Sequence, residues 1–138
     1  MVKPIYLVSV DDRSYYVEVV ADSRAKKIGR NLDCCFVTPA EDLSISRVQG
    51  CVIHTPHDGI HFYHEGERSK TYLDGRRLKR DVDERVACGH ILTIGDNGYQ
   101  IEIVSYNNMK SVLDFRKRAE RSRLDDTQYL SNSGLQNQ

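Results

Sequence analysis

The chain has 138 residues, with 20 lysines and arginines against 20 aspartates and glutamates, so its formal net charge is zero. That length supports one domain with a real core and hardly two, and the charge balance excludes a global electrostatic pull on nucleic acid or acidic membranes. Apolar residues are 39% and charged residues 29%, the balance of a soluble globular domain, and no apolar run approaches the ~18 residues of a membrane span.

The first hundred residues read as β. Tyr6–Val10 and Tyr15–Val20, rich in aromatic and β-branched residues, flank the turn-like Asp11-Asp12-Arg13-Ser14 and predict a hairpin. Lys27-Ile28 is a short strand ending at Gly29, and Cys35-Phe36-Val37 another ending before Pro39. Gly50–His54 and Ile60–His64 are joined by a segment closing in Asp58-Gly59, a strong turn signal. Thr71-Tyr72-Leu73 leads through Asp74-Gly75 into Arg76-Arg77-Leu78. Ile91–Ile94 and Tyr99–Val104 are linked by Gly95-Asp96-Asn97-Gly98. About ten short strands at regular spacing predict an all-β sandwich.

The pattern changes after Ser105. From about Asn108 to Leu124 it is helix-compatible, with Asn107 or Asn108 as the cap and a narrow stripe of Met109, Val112, Leu113, Phe115 and Ala119. Asp125 to Gln138 is polar and reads as a disordered tail. The expected organisation is one β domain over 1–106, with a helix and tail over 107–138. Arg116-Lys117-Arg118 reads as a solvated helix face.

Three short motifs bring together groups suited to gripping an anion: Ile28-Gly29-Arg30, Ser44-Ile45-Ser46-Arg47 and Thr71-Tyr72-Leu73-Asp74-Gly75. Loops at one end of a sandwich can converge on a ligand. The planar arginine fork donates two parallel bonds to phosphate oxygens, and a serine hydroxyl adds a short donor. Arg30, Ser46 and Arg47 are the candidates on these grounds.

In order and spacing the chain resembles the forkhead-associated (FHA) domain. Gly29-Arg30 is similar to the family's Gly-Arg at the end of its third strand, and Ile45-Ser46-Arg47-Val48-Gln49 to its Ile-Ser-Arg-x-His turn. Thr71 to Gly75 is similar to its Thr-x-x-Asn-Gly segment, and Gly89–Gly95 to its Gly-Asp-x-Ile-x-Ile-Gly. The resemblance implies an eleven-stranded β-sandwich that binds phosphothreonine peptides through loops at one end. On that basis Arg30 contacts phosphate or peptide backbone, Ser46 bonds a phosphate oxygen, Arg47 adds charge, and Gly29, Thr71, Asp74 and Gly75 are structural. Gln49 stands where the family has histidine, and since an amide both donates and accepts it is expected to brace the loops. Ser69 stands where the family has the asparagine that holds the peptide, and Lys70 where it has glycine. Arg68, Ser69 and Lys70 complete the expected peptide-binding set.

Other chemistries find less support. His54, His57, His61 and His64 straddle a predicted turn, where successive strand residues face opposite sides, so they read as exposed hairpin histidines rather than a metal site. Cys34, Cys35, Cys51 and Cys88 lack metal-ligand spacing and read as reduced thiols. There is no cofactor motif and no catalytic constellation. The expected partner is a phosphothreonine-containing protein, not nucleic acid or membrane. Thr127-Gln128 resembles the dipeptide favoured by DNA-damage checkpoint kinases, which suggests a homodimer through phosphorylated Thr127. Met1–Ile5 lacks the features of a signal peptide, and the resemblance to DNA-damage adaptors implies an intracellular, nuclear protein. The alternative is a degenerate FHA domain serving as a constitutive dimerisation module through an apolar surface along Tyr15-Tyr16 or the Met109 helix.

Overall fold

Eleven short strands, each closed by a turn or loop, follow one another along the chain in the computed structural model, which describes residues 2–114. They are β1 (Ile5–Ser9), β2 (Tyr16–Val19), β3 (Ala25–Gly29), β4 (Phe36–Val37), β5 (Gly50–Thr55), β6 (Gly59–His64), β7 (Thr71–Leu73), β8 (Arg76–Arg77), β9 (Glu84–Val86), β10 (Ile91–Ile94) and β11 (Tyr99–Ser105). One sheet has the order β2-β1-β11-β10-β7-β8 and the other β4-β3-β5-β6-β9. The named strand pairs are antiparallel except β3 with β4. This is the expected all-β sandwich of eleven strands.

The core follows from period-2 alternation. Leu7 stands opposite Ile103, Leu92 opposite both Ile101 and Leu73, and Val52 opposite Phe62. These side chains, with Ile28, Phe36, Ile45 and Ile94, are buried in one cluster between the sheets. Tyr15 packs on Phe36 with ring centroids 4.7 Å apart, and its hydroxyl accepts the Val37 N–H at 2.8 Å. Tyr15 and Tyr16 are therefore half-buried parts of the sandwich rather than an open apolar face.

The chain divides into two units, Met1–Tyr106 and Asn107–Gln138. The first carries all eleven strands. A helix, α1, occupies residues 106–114. It begins earlier than the expected start near Asn108, so Asn107 and Asn108 lie inside it instead of capping it. Ser105, a residue type favoured at the N-cap, ends β11 immediately before it. The Asn107 carbonyl accepts the Ser111 hydroxyl at 3.3 Å. The expected continuation to Leu124, Arg116-Lys117-Arg118, Thr127 and the tail lie outside the described residues. Among the described residues no helix is long and apolar enough to cross a membrane.

The histidines correct another expectation. His54, His61 and His64 are buried, and only His57 of the four is exposed. β5 and β6 are interior strands of their sheet, which removes most of the hairpin from solvent. His54 and His64 share the face of Val52 and Phe62 but sit at opposite ends of the strand pair, while His61 takes the other face. His61 lies between the Asp83 carboxylate at 2.8 Å and the Asp58 carbonyl at 2.8 Å.

Candidate functional site

The site is built where β3 ends. The loop from Thr38 to Gln49 returns beside it and is laced to it by backbone bonds. Arg30 N–H donates to Ser46 O at 3.2 Å, Asn31 N–H to Arg47 O at 3.1 Å, and Gln49 N–H to Ile28 O at 2.7 Å. Gly29 makes this lacing possible. A Cβ there would collide with the Arg47 carbonyl and would lie 2.9 Å from Val48 Cα, so only glycine admits the loop at this distance. Ile45, fully buried, pins the loop into the core. Ser44 fixes its far side: its hydroxyl donates to Asp42 Oδ1 at 2.6 Å and accepts the Asp96 N–H at 2.8 Å. The first serine of Ser44-Ile45-Ser46-Arg47 is thus spent on the β10–β11 turn, and the second faces the site.

Gln49 joins this loop to the next. Its fully buried side chain accepts the Ser46 N–H at 2.9 Å through Oε1, while Nε2 donates to Lys70 O at 2.9 Å and Thr71 Oγ1 at 2.8 Å. Its carbonyl accepts the N–H groups of Glu65 and Gly66 at 2.9 and 3.2 Å. Because Thr71 Oγ1 accepts from Gln49, its own proton is available to His64 Nδ1, 2.8 Å away. Burial lowers the His64 pKa and keeps that ring a neutral acceptor. An amide offers one acceptor and two donors, and Gln49 uses all three to hold the loops in register.

Between these loops lies a hollow of about 700 Å³, lined by Arg30, Ser46, Arg47 and Arg68, with Arg80, Glu65 and Glu67 also on its wall. Arg30 is oriented by its Nε, which donates to Ile45 O at 2.5 Å, so its terminal nitrogens are held at the loop edge. Among the described residues, Arg30, Arg47 and Arg68 form no ion pair; Arg80 pairs with Glu67 at 3.3 Å and donates to Glu65 O at 3.2 Å. Four guanidinium groups against two carboxylates make the hollow locally cationic in a chain of zero net charge, and arginine is the side chain best suited to planar bidentate recognition of phosphate.

Two expected residues lie elsewhere. Ser69 is buried, with its Oγ 2.5 Å from Ser46 Oγ, behind the hollow's wall. The Lys70 side chain is exposed and does not line the hollow; its carbonyl is the structural part, accepting from Gln49 and from Gly95 N–H at 2.9 Å. Asp74 and Gly75 form the two-residue turn between β7 and β8, both with positive φ (49° and 87°), as an Asp-Gly hairpin turn requires. Asp74 Oδ1 accepts the Ile91 N–H at 2.8 Å. Arg80 is the residue that sequence reasoning missed. A parallel bridge to His64 carries it to the site, and nothing local in Arg76–Arg80 signals that pairing.

A family model of the FHA domain matches residues 26–95, just over half of the chain and every residue that lines the hollow. The chain belongs to the FHA domain family. Solved structures share the fold of this FHA domain. The N-terminal FHA domain of S. cerevisiae Rad53p, solved with a phosphothreonine peptide, has a TM-score of 0.65 at 13% identity, covering 81% of this chain and 99% of that one. The Mek1 FHA domain, solved with a Hop1 phosphothreonine peptide, has a TM-score of 0.60 at 21% identity, covering 76% and 99%. An FHA domain of an Arabidopsis thaliana protein has a TM-score of 0.64 at 14% identity, covering 75% and 86%. No curated protein matches the chain closely in sequence.

Proposed function

We propose that this FHA domain is a non-catalytic adaptor that binds phosphothreonine peptides in the hollow beside Gly29, with Arg30, Ser46, Arg47 and Arg68 as the phosphate-facing set. The observation that carries the reading is the convergence of these side chains from three loops onto one cationic hollow, held by Gln49. At neutral pH a phosphothreonine carries close to two negative charges, and charge-assisted bonds distinguish it from the bare hydroxyl. The phosphothreonine peptides bound by the Rad53p and Mek1 domains support the same ligand class.

The expected domain span of 1–106 belongs to this proposal. So do a nuclear setting in DNA-damage signalling and a homodimer through phosphorylated Thr127, supported by Thr127-Gln128. The burial of Ser69 favours a second reading, a constitutive interaction module, because Ser69 is absent from the lining of the hollow beside Gly29 and its hydroxyl is engaged by Ser46. Size-exclusion chromatography before and after phosphatase treatment separates the two. A phosphatase-insensitive dimer supports the constitutive module.

The deciding experiment is calorimetry with an oriented set of phosphothreonine peptides and their unphosphorylated counterparts. Arg30→Ala should weaken binding by roughly tenfold to a hundredfold, the scale of one lost charge-assisted bond, with an unchanged circular dichroism spectrum. Retained affinity in that variant removes Arg30 from the site, and equal binding of unphosphorylated peptides removes the function.

A further inference from the structure

A second hollow of about 500 Å³ adjoins the first. Gly66, Glu67 and Arg80 line both. The second is completed by Arg77, Lys79, Leu78, Ser69 and His64. Its charge follows from its lining. Leu78 is buried in the core and its N–H donates to Thr71 O at 2.9 Å, while Arg77 and Lys79 on either side of it line the hollow. Both are exposed and form no ion pair among the described residues. The neighbouring Arg76 is drawn away by Glu84 at 2.8 Å. Among the described residues the only carboxylate on the hollow is Glu67, already paired with Arg80. The Arg77 and Arg80 charges also act on buried His64, adding to burial in keeping the imidazole neutral.

We infer that this second hollow is an anion subsite, so that the domain prefers phosphothreonine segments carrying a second negative side chain that reaches Arg77 and Lys79. The inference rests on the phosphothreonine reading above, because the shared wall is what brings one peptide to both hollows. The same cations accept a second phosphate or an acidic side chain. A phosphate, with nearly twice the charge and three acceptor oxygens, gains more.

The test is calorimetry of the full 138-residue chain against an alanine-glycine host peptide with one central phosphothreonine. Two daughter series carry either a second phosphothreonine or a glutamate at each flanking position in turn. At one register a daughter should bind about tenfold tighter than the host. The Arg77→Ala/Lys79→Ala variant should lose that gain while keeping the host affinity, with circular dichroism confirming its fold. Comparing the two series tells whether phosphate or carboxylate is the source. A host that binds while no daughter binds tighter, or a gain that survives in the double variant, overturns the second subsite and leaves the phosphothreonine reading standing. A host and daughters that all fail to bind overturn both.

Discussion

Replacing Gln49 with leucine removes three hydrogen bonds from a fully buried side chain of similar size. The losses are unequal. Lys70 O keeps the Gly95 N–H, and Thr71 Oγ1 keeps His64, so each of those bonds costs only its net value, roughly 0.5–1.5 kcal/mol. Among the described residues the Ser46 N–H has no other partner, and an orphaned donor costs roughly 1–3 kcal/mol. The apolar burial gained by leucine offsets part of this, leaving about 2–4 kcal/mol of destabilisation. With a urea slope of about 2 kcal/mol/M, the middle of the usual range, the unfolding midpoint should fall by about 1–2 M. Phosphopeptide affinity should fall as well, since Ser46 and the 65–70 loop lose their common brace. Gln49→His, which keeps one ring acceptor and one ring donor, should be milder on both measures. A Gln49→Leu variant within about 0.3 M of the parent and unchanged in affinity would refute the bracing role.

Further outcomes follow from the geometry. Gly29→Ala should cost about 1–3 kcal/mol in urea unfolding, because its Cβ meets backbone rather than a movable side chain; a silent substitution would mean that the 45–48 loop is not locked to β3. Burial, aided by the nearby Glu65 carboxylate, pushes the Cys51 thiol up to about 12. At pH 8 iodoacetamide should therefore modify exposed Cys35 in the folded protein and reach Cys51 only on unfolding, as read by peptide mass spectrometry. The His61 pKa is raised, chiefly by its hydrogen bond to Asp83, against the opposing effect of burial. Its contribution to stability is therefore full below the unfolded pKa of about 6.5 and is lost as pH rises through the higher folded value. Asp83→Asn should flatten that part of the stability profile, and an unchanged profile would remove the pair from the account.

Much of the sandwich was legible because its signals are local. β-branched runs, Asp58-Gly59, Asp74-Gly75 and Gly95–Gly98 mark strands and turns within a few residues. β9 was not, because Glu84-Arg85-Val86 carries two charges in three residues and is a strand only through pairing with Ile60–Phe62. The histidine burial was equally hidden: periodicity gave the face of each residue, but only the neighbouring strands of the sheet cover it. At the site, Arg30, Ser46 and Arg47 could be named from motif spacing. The inward turn of Ser69 and the arrival of Arg80 could not, because one depends on a contact 23 residues away and the other on a bridge across the loop end.

The contact between Ser46 and Ser69 has a consequence for how the site meets its ligand. Either hydroxyl can be the donor in that bond, so the proton arrangement is reversible by simple rotation. When an anion reaches Ser46, Ser46 can turn its hydrogen outward while Ser69 supplies one from behind. The first hydroxyl is then polarised by the second, and hydrogen bonds in such a chain strengthen one another. In the proposed site Ser69 is thus a proton-donating backstop, tuning the strength of the donor it stands behind.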